Sequence, residues 1–450
     1  MKKILVVAMA LLLWLPGAAD QADLSRFDAV VDYLVDSSKF QPSKESLLST
    51  AQGALTGSAS VRDALQSADD EGRLHRNLIE ALLKSLNDPW ARLYTPEEVV
   101  RLRERMSGDR KSAMGVIVVP SKTPLSYRVV GVSPNGPSEG KLFSGDSIVW
   151  ANGVEASQED FLDVLVGEAG QINHLKVRSE NGETREVRVT LGDFDAPTAY
   201  LDDKEKGIIK ITSFGAETAA ELKEAMAELE GRPAIIDLRF NGGGYVTAAV
   251  ASSDLFLDRG VKIVTTVSPK KQEVHLAQDG VTFDQPVCLL VNGRTASAAE
   301  IFAAALRTNA NAFIVGDTTY GKGSVQRLVS LPGNWAVKYT TSLYQTADGV
   351  FIDKVGLKPD AEIDMELALA SSKDDTQLAQ ALAWVDKMKA EPVAQDLARN
   401  NFPISSADPS LLAASLRPHL FPINRGRSIL PEGRLDTGKP ESYSGPSPRR

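Results

Sequence analysis

Apolar residues recur with two different periods along this chain, and the periods divide it. Near the start, Phe27, Val30, Val31 and Leu34 share one helical face. Leu78, Ile79, Leu82, Leu83 and Leu86 mark a second helix, stopped by Asn87-Asp88-Pro89. Thr95-Pro96-Glu97-Glu98 then reads as a fresh helix start, with a capping residue, a proline at the first position and acidic groups in the first turn. Residues 20–110 are therefore expected to be mostly helical. From 111 to 191 the signal changes to short strands, at 116–119, at 127–132 and through Gly145-Asp-Ser-Ile148 to a turn at Asn152-Gly153. A short helix is expected over 158–166 and a hairpin over 175–189 about Asn181-Gly182. Over 192–370 strands alternate with helices. The strands fall at 208–211, 234–238, 262–267, 286–291 and 312–315, the helices at 216–229, 245–257 and 296–309. That alternation predicts an α/β layered core. Residues 371–424 form a C-terminal helical region, with an amphipathic helix at 374–389 turning Leu378, Leu382 and Val385 inward. From 425 to 450 the chain is glycine, proline, serine and charge, and is expected to be disordered.

Composition narrows the class. With 450 residues, 43% hydrophobic and 24% charged, the chain reads as a soluble globular protein of about three domains. A net charge of −9 gives no footprint for a nucleic-acid partner. Residues 1–19 read as a signal peptide. Met1-Lys2-Lys3 precedes an apolar run over 4–15, too short for a comfortable membrane span, and Pro16-Gly-Ala-Ala19 supplies small residues for cleavage after Ala19. The expected location is the periplasm or cell envelope, with full secretion as the alternative. The one cysteine, Cys288, lies in an apolar strand and reads as a small buried hydrophobe. No ligand cluster has metal spacing, so no metal or other cofactor is expected.

The candidate chemistry sits at strand ends. Val287 to Val291 is an apolar run, and Ile301, Phe302, Ala305 and Leu306 follow at helical spacing. Ser297, between them, lies at a strand-to-helix turn, where free N–H groups favour negative charge. A serine so placed can attack a carbonyl while the N–H of Ala298 meets the developing oxyanion. Thr295 or Ser297 merely capping the helix is what such residues ordinarily do, so the turn decides nothing alone. A serine nucleophile needs a base, and none of His75, His174, His275 and His419 accompanies a nucleophile-like motif. Lys322, in Gly321-Lys322-Gly323, can serve if buried. From a reference near 10.4, a half-neutral amine near pH 7.4 needs a shift of roughly 3 units, which desolvation can supply. Gln326 can orient the neutral amine. Gly316 to Lys322 also has phosphate-loop spacing. Gly323 follows, however, in place of Ser or Thr, and the continuation reads as a strand instead of a helix. Finally, the apolar strand at 234–238 runs into Asn241-Gly242-Gly243-Gly244, a glycine turn that can present a second oxyanion donor.

Together, Asn-Gly-Gly-Gly at 241–244, Thr-Ala-Ser-Ala-Ala-Glu at 295–300, Gly-Lys-Gly-Ser-Val-Gln at 321–326 and the stretch from Asp348 to Asp360 resemble the carboxy-terminal processing, or tail-specific, serine proteases. Ala299 stands where many members carry a second serine. The resemblance implies a crotonase- or ClpP-like core over 192–370, with Ser297 as nucleophile, Lys322 as general base and Gln326 orienting it. Gly243 and Ala298 would supply the oxyanion N–H groups, with Gly242 the fallback. The run from Leu86 to Glu98 is similar to the family segment preceding a PDZ domain, and is expected to have a packing role. Residues 111–191 resemble a PDZ domain whose carboxylate loop would fall at Met114, Gly115, Val116 and Ile117. The implied partners are protein substrates with flexible C-terminal tails; an adaptor protein and self-association stay open. Two rivals remain: a PDZ scaffold with a dead core, and an acyl-transfer enzyme on a crotonase-like core.

Overall fold

Three helices open the described chain: α1 (Gln21–Ser37), α2 (Lys44–Gly57) and α3 (Glu71–Ser85). The structure is a computed structural model that describes residues 21–57, 71–100, 114–122, 125–159 and 161–390. The expected signal segment, the stretch 391–424 and the tail 425–450 lie outside the described residues. The apolar faces of α1 and α3, with Leu47 of α2, close on one another as the periodicity predicts. Asn87 leaves α3 with a φ of 53°, a left-handed exit suited to asparagine. The chain then forms β1 (Arg92–Tyr94), and a helix begins at residue 96, directly after Thr95.

The second module is antiparallel: β2 (Val116–Lys122), β3 (Leu125–Val132), β4 (Ser147–Ala151), β5 (Val154–Glu155), β6 (Ile172–Arg178) and β7 (Thr184–Thr190). Its strand order is β2-β3-β4-β6-β7, with β5 against β4, so β2 is an edge. Val129, Ile148, Leu175, Val177 and Val189 fill its core. The short helix expected over 158–166 is not there. The described residues form turns and a single 3-10 turn at Asp163–Leu165. Phe161 and Leu165 still bury themselves, but so short a segment gains too few hydrogen bonds to offset nucleation.

The third module carries β8 (Ala199–Asp203), β9 (Ile208–Ile211), α4 (Thr218–Ala227), β10 (Ala234–Asp237), α5 (Val246–Asp254), β11 (Lys262–Val267), β12 (Gln272–Leu276), β13 (Val287–Val291), α6 (Ala298–Asn309), β14 (Phe313–Gly316), β15 (Ser324–Ser330), β16 (Ala336–Thr346), β17 (Ala361–Glu362) and α7 (Thr376–Ala390). One sheet has the order β17-β14-β13-β10-β9-β8, parallel except for β8. Its central strands are buried on both faces, which is why they read as unbroken apolar runs. Ile236 and Leu289 face α4, α5 and α6. Ile235, Cys288 and Leu290 face Ala381 and Val385 of α7. The layered α/β prediction and the inward side of the last helix are thus met, and Cys288 is buried. A second, antiparallel sheet has the order β1-β16-β11-β12, with β15 also on β16. At the end of β10, Arg239 donates to Asp237 and, at 2.8 Å, to Asp375, all three buried. This network fixes the strand end from which the glycine turn departs. Among the described residues, no helix is long and apolar enough to cross a membrane.

Candidate active site

Ser297 stands at the N-terminus of α6 with φ 60° and ψ −118°. For a residue with a side chain that is a strained backbone, worth about 1–3 kcal/mol and held only when its surroundings dictate it. They do so here. Ala296 N–H donates to the Asn241 carbonyl at 2.9 Å, and Ser297 N–H donates to Glu300 Oε2 at 2.8 Å. Thr295 is no cap for this helix. Its hydroxyl accepts from Asn292 N–H and donates to the Leu238 carbonyl, joining the ends of β13 and β10. The N–H of Ala298, the first residue of α6, has no hydrogen-bond partner among the described residues.

The glycine turn lies against this serine. A Cβ on Gly243, at φ 103°, would stand 2.8 Å from Ser297 Cβ and 3.0 Å from Ala298 N, so only glycine fits. Asn241, fully buried, donates its amide to the Ile211 carbonyl at 2.8 Å and accepts from Gly243 N–H at 2.8 Å. The Gly243 N–H is therefore committed to Asn241 in this structure. Gly242 is exposed, and its N–H has no partner among the described residues. Of the three candidate oxyanion donors, the Ala298 and Gly242 groups are the free ones.

Lys322 reaches the same place on a loop between β14 and β15. The continuation is a strand, which removes the phosphate-loop reading. Glu300 fastens the loop to the serine turn. Its Oε1 accepts from Thr319 Oγ1 at 2.5 Å and from Gly321 N–H at 2.8 Å; its Oε2 accepts from Ser297 N–H and, at 2.9 Å, from Lys322 N–H. Ser297 and Lys322 thus hang their amides on one carboxylate oxygen. Burial pushes the Glu300 carboxyl up, against the pull of its four donors. Glu300 is the residue the sequence reading passes over. Its position at the third residue of α6 announces a capping box, but nothing local announces its bonds to 319–322.

The Lys322 side chain is half-buried, with its amine 5.3 Å from the centre of the Trp90 ring. Burial, then the charge of Lys338, holds the amine below its ordinary range, while Glu300 opposes them. No hydrogen bond joins Lys322 Nζ to Ser297 Oγ or to Gln326 in this structure. Gln326 sits at a β-bulge after Val325 and donates its amide to Ser324, to Oγ at 2.9 Å and to the carbonyl at 3.1 Å. Glu300 thus unites the backbones of Ser297 and Lys322, while no hydrogen bond joins their side chains.

The four residues expected to bind a peptide carboxylate lie at the head of edge strand β2. Met114 is buried, and its carbonyl accepts from Ser138 N–H. Gly115, at φ 74°, lies under the Phe194 ring. Val116 packs into its own module, whereas Ile117 turns outward to Phe240 and Met365 of the third.

Residues 205–363 match the model of Peptidase family S41. The chain is 30% identical over 321 residues to the carboxy-terminal processing protease CtpA of Bacillus subtilis, covering 67% of this chain and 66% of that one. It is 31% identical over 317 residues to the carboxyl-terminal-processing protease of a Picosynechococcus, covering 67% of this chain and 76% of that one. A putative S41 protease from Bacteroides fragilis superposes with a TM-score of 0.56 at 13% identity, over 80% of this chain and 97% of that structure, a likeness of fold. The matched span runs from just before β9 to just past β17 and so contains both the Ser297 turn and Lys322. The chain belongs to peptidase family S41, the carboxy-terminal processing serine-type peptidases.

Proposed function

We propose that the protein is an exported endopeptidase that cuts protein substrates near flexible C-terminal tails, working through a Ser297–Lys322 dyad. The observation that carries this reading is the Glu300 carboxylate, which gathers the Ser297 and Lys322 amides while Gly243 packs on Ser297 Cβ. Ser297 Oγ attacks the scissile carbonyl and passes its proton to the neutral Lys322 amine. Ala298 N–H and a glycine N–H hold the oxyanion, Gly242 being the free donor and Gly243 available once Asn241 releases it. Lys322 protonates the leaving amine, then takes a proton from the water that frees the acyl group. Gln326 presents Oε1 to the amine. The antiparallel module at 111–191 acts as a PDZ domain, adding a substrate tail to the edge strand β2 with the carboxylate at Met114–Ile117. The chemistry needs no metal or organic cofactor. The test is fluorophosphonate labelling with casein turnover. Ser297→Ala should lose both while its circular dichroism stays that of the parent. A folded Ser297→Ala that cleaves at the parent rate would place the nucleophile elsewhere, and a parent that never labels would favour the dead scaffold.

A further inference from the structure

The Asn87-Asp88-Pro89-Trp90 turn precedes the second module, far from Lys322 in sequence, yet it closes over the lysine. Asp88 is buried. Its Oδ2 accepts from Thr340 N–H at 2.7 Å and its Oδ1 from Thr340 Oγ1 at 2.9 Å. The same Oδ1 accepts from the backbone N–H of Trp90 at 3.0 Å, which fixes the main chain at that residue. Thr340 is the register partner of Gln326 across β15 and β16. The turn is therefore pinned to the strand pair that carries the lysine loop. Trp90 ends half-buried, 5.3 Å from Lys322 Nζ, with Tyr320 tilted against it at 6.5 Å.

We propose that Trp90 is a positioning residue for Lys322: its ring seats the amine and keeps water from it. The proposal rests on the reading of Lys322 as the base. The ring acts on that base in two opposed ways. Its π face favours the ammonium, and its bulk displaces the water that an ammonium requires. A base must shed its proton, so only the second effect serves catalysis. The direction found for Lys322, downward with burial as the first cause, agrees with the second prevailing. Among the described residues, the charges that act on the amine are Lys338 on β16 and Glu300 on α6, and Asp353 and Lys354 lie beside the flanking Gly323 and Gly321. Tyr320 adds a phenol. The flexible four-carbon stem lets the amine swing between this seat and the serine hydroxyl.

The experiment follows the rate of fluorophosphonate labelling of Ser297 against pH in the full chain. Trp90→Ala should move the rising limb upward by roughly one unit, leaving about tenfold less neutral amine below the limb. Trp90→Phe keeps an aromatic face and should hold the limb within about 0.3 unit of the parent. If Trp90→Ala does not fold, Trp90→Ser, which likewise removes both the ring and its bulk, supplies the same reading. A limb that stays or moves down in a folded Ala or Ser variant overturns the proposal, as does a Phe limb as high as the Ala one. Lys322→Arg keeps the two ideas separable. Parent-like labelling there defeats the base itself, whereas a dead Lys322→Arg beside an unmoved Trp90→Ala limb defeats only the seat.

Discussion

The serine side and the lysine side of this site are built in different ways. Around Ser297 the residues Ala296, Ala298, Ala299 and Glu300 are all buried, and the turn is continuous with a central parallel strand and the helix after it. The Lys322 loop has buried glycines on either side, but the lysine is half-buried, Tyr320 is 56% exposed, and the amine rests on a ring from another module. One side is a rigid mould holding a strained residue. The other is a backbone held in place with a half-buried side chain whose amine rests on an aromatic ring. Glu300 belongs to both, since it completes the first turn of α6 and also anchors three groups of the loop. On the proposed reading, nucleophile and base share one fold because a single carboxylate sets the spacing of their backbones.

Removing the lysine's ability to lose a proton should have the largest effect. In Lys322→Arg the guanidinium keeps the charge and cannot accept the serine proton, so kcat should fall by about 10²–10⁴ with the fold intact. In the parent, only the neutral amine is active, so kcat/KM should rise with pH through the lysine's free-enzyme pKa. Because burial and Lys338 lower that pKa, the limb should lie below the lysine reference of about 10.4. Parent-like turnover by Lys322→Arg across roughly pH 6 to 9 would break the contrast between the two sides. Next comes Glu300→Gln. Each carboxylate oxygen accepts from at least one backbone N–H. Whichever end receives the new NH2, a buried N–H loses its acceptor, at about 1–3 kcal/mol per group. Displacing Ser297 against Lys322 should also lower turnover by roughly 10²-fold. Chemical denaturation and steady-state kinetics read the two losses, and a variant unchanged in both would show that Glu300 is only a helix cap.

The same difference governs what could be read from the sequence. The serine turn and the strands at 208–211 and 262–267 are local patterns, and they stand where the periodicity puts them. The 158–166 helix was over-read because two inward residues one turn apart mimic a helical face without the length to form one. Strands β1, β8, β12 and β16 went unmarked. β12 is nearly all exposed and β1 has three residues, so neither carries a buried alternation of useful length. β16 does alternate, but it sits beside a stretch whose glycines, prolines and charges draw the eye to turns. Trp90 could be placed near a packing surface and no further. Its meeting with Lys322 depends on Asp88 finding Thr340 across the fold, and no window of sequence contains both. The commitment of Gly243 N–H to Asn241 was equally hidden, because Asn-Gly-Gly-Gly specifies a turn without saying which N–H the asparagine takes.

The smallest expected effect tests the lysine side most finely. Gln326 holds its amide nitrogen on Ser324, so the end left to face an amine is Oε1. A carbonyl oxygen there can accept a hydrogen bond from lysine whether the amine is charged or neutral. It therefore orients the base without strongly favouring either form. Gln326→Ala should lower kcat about tenfold, less than the loss of the proton acceptor itself. Stability should change by under about 1 kcal/mol, since the residue is half-exposed and its bonds stay within its own strand. Gln326→Glu sharpens the point. A carboxylate beside the amine favours the ammonium, so the rising limb of kcat/KM should move upward, whereas Gln326→Ala should leave it close to the parent position. If Gln326→Glu leaves the limb where it was, Oε1 does not face Lys322 during catalysis, and the bulge after Val325 serves the strand and not the base.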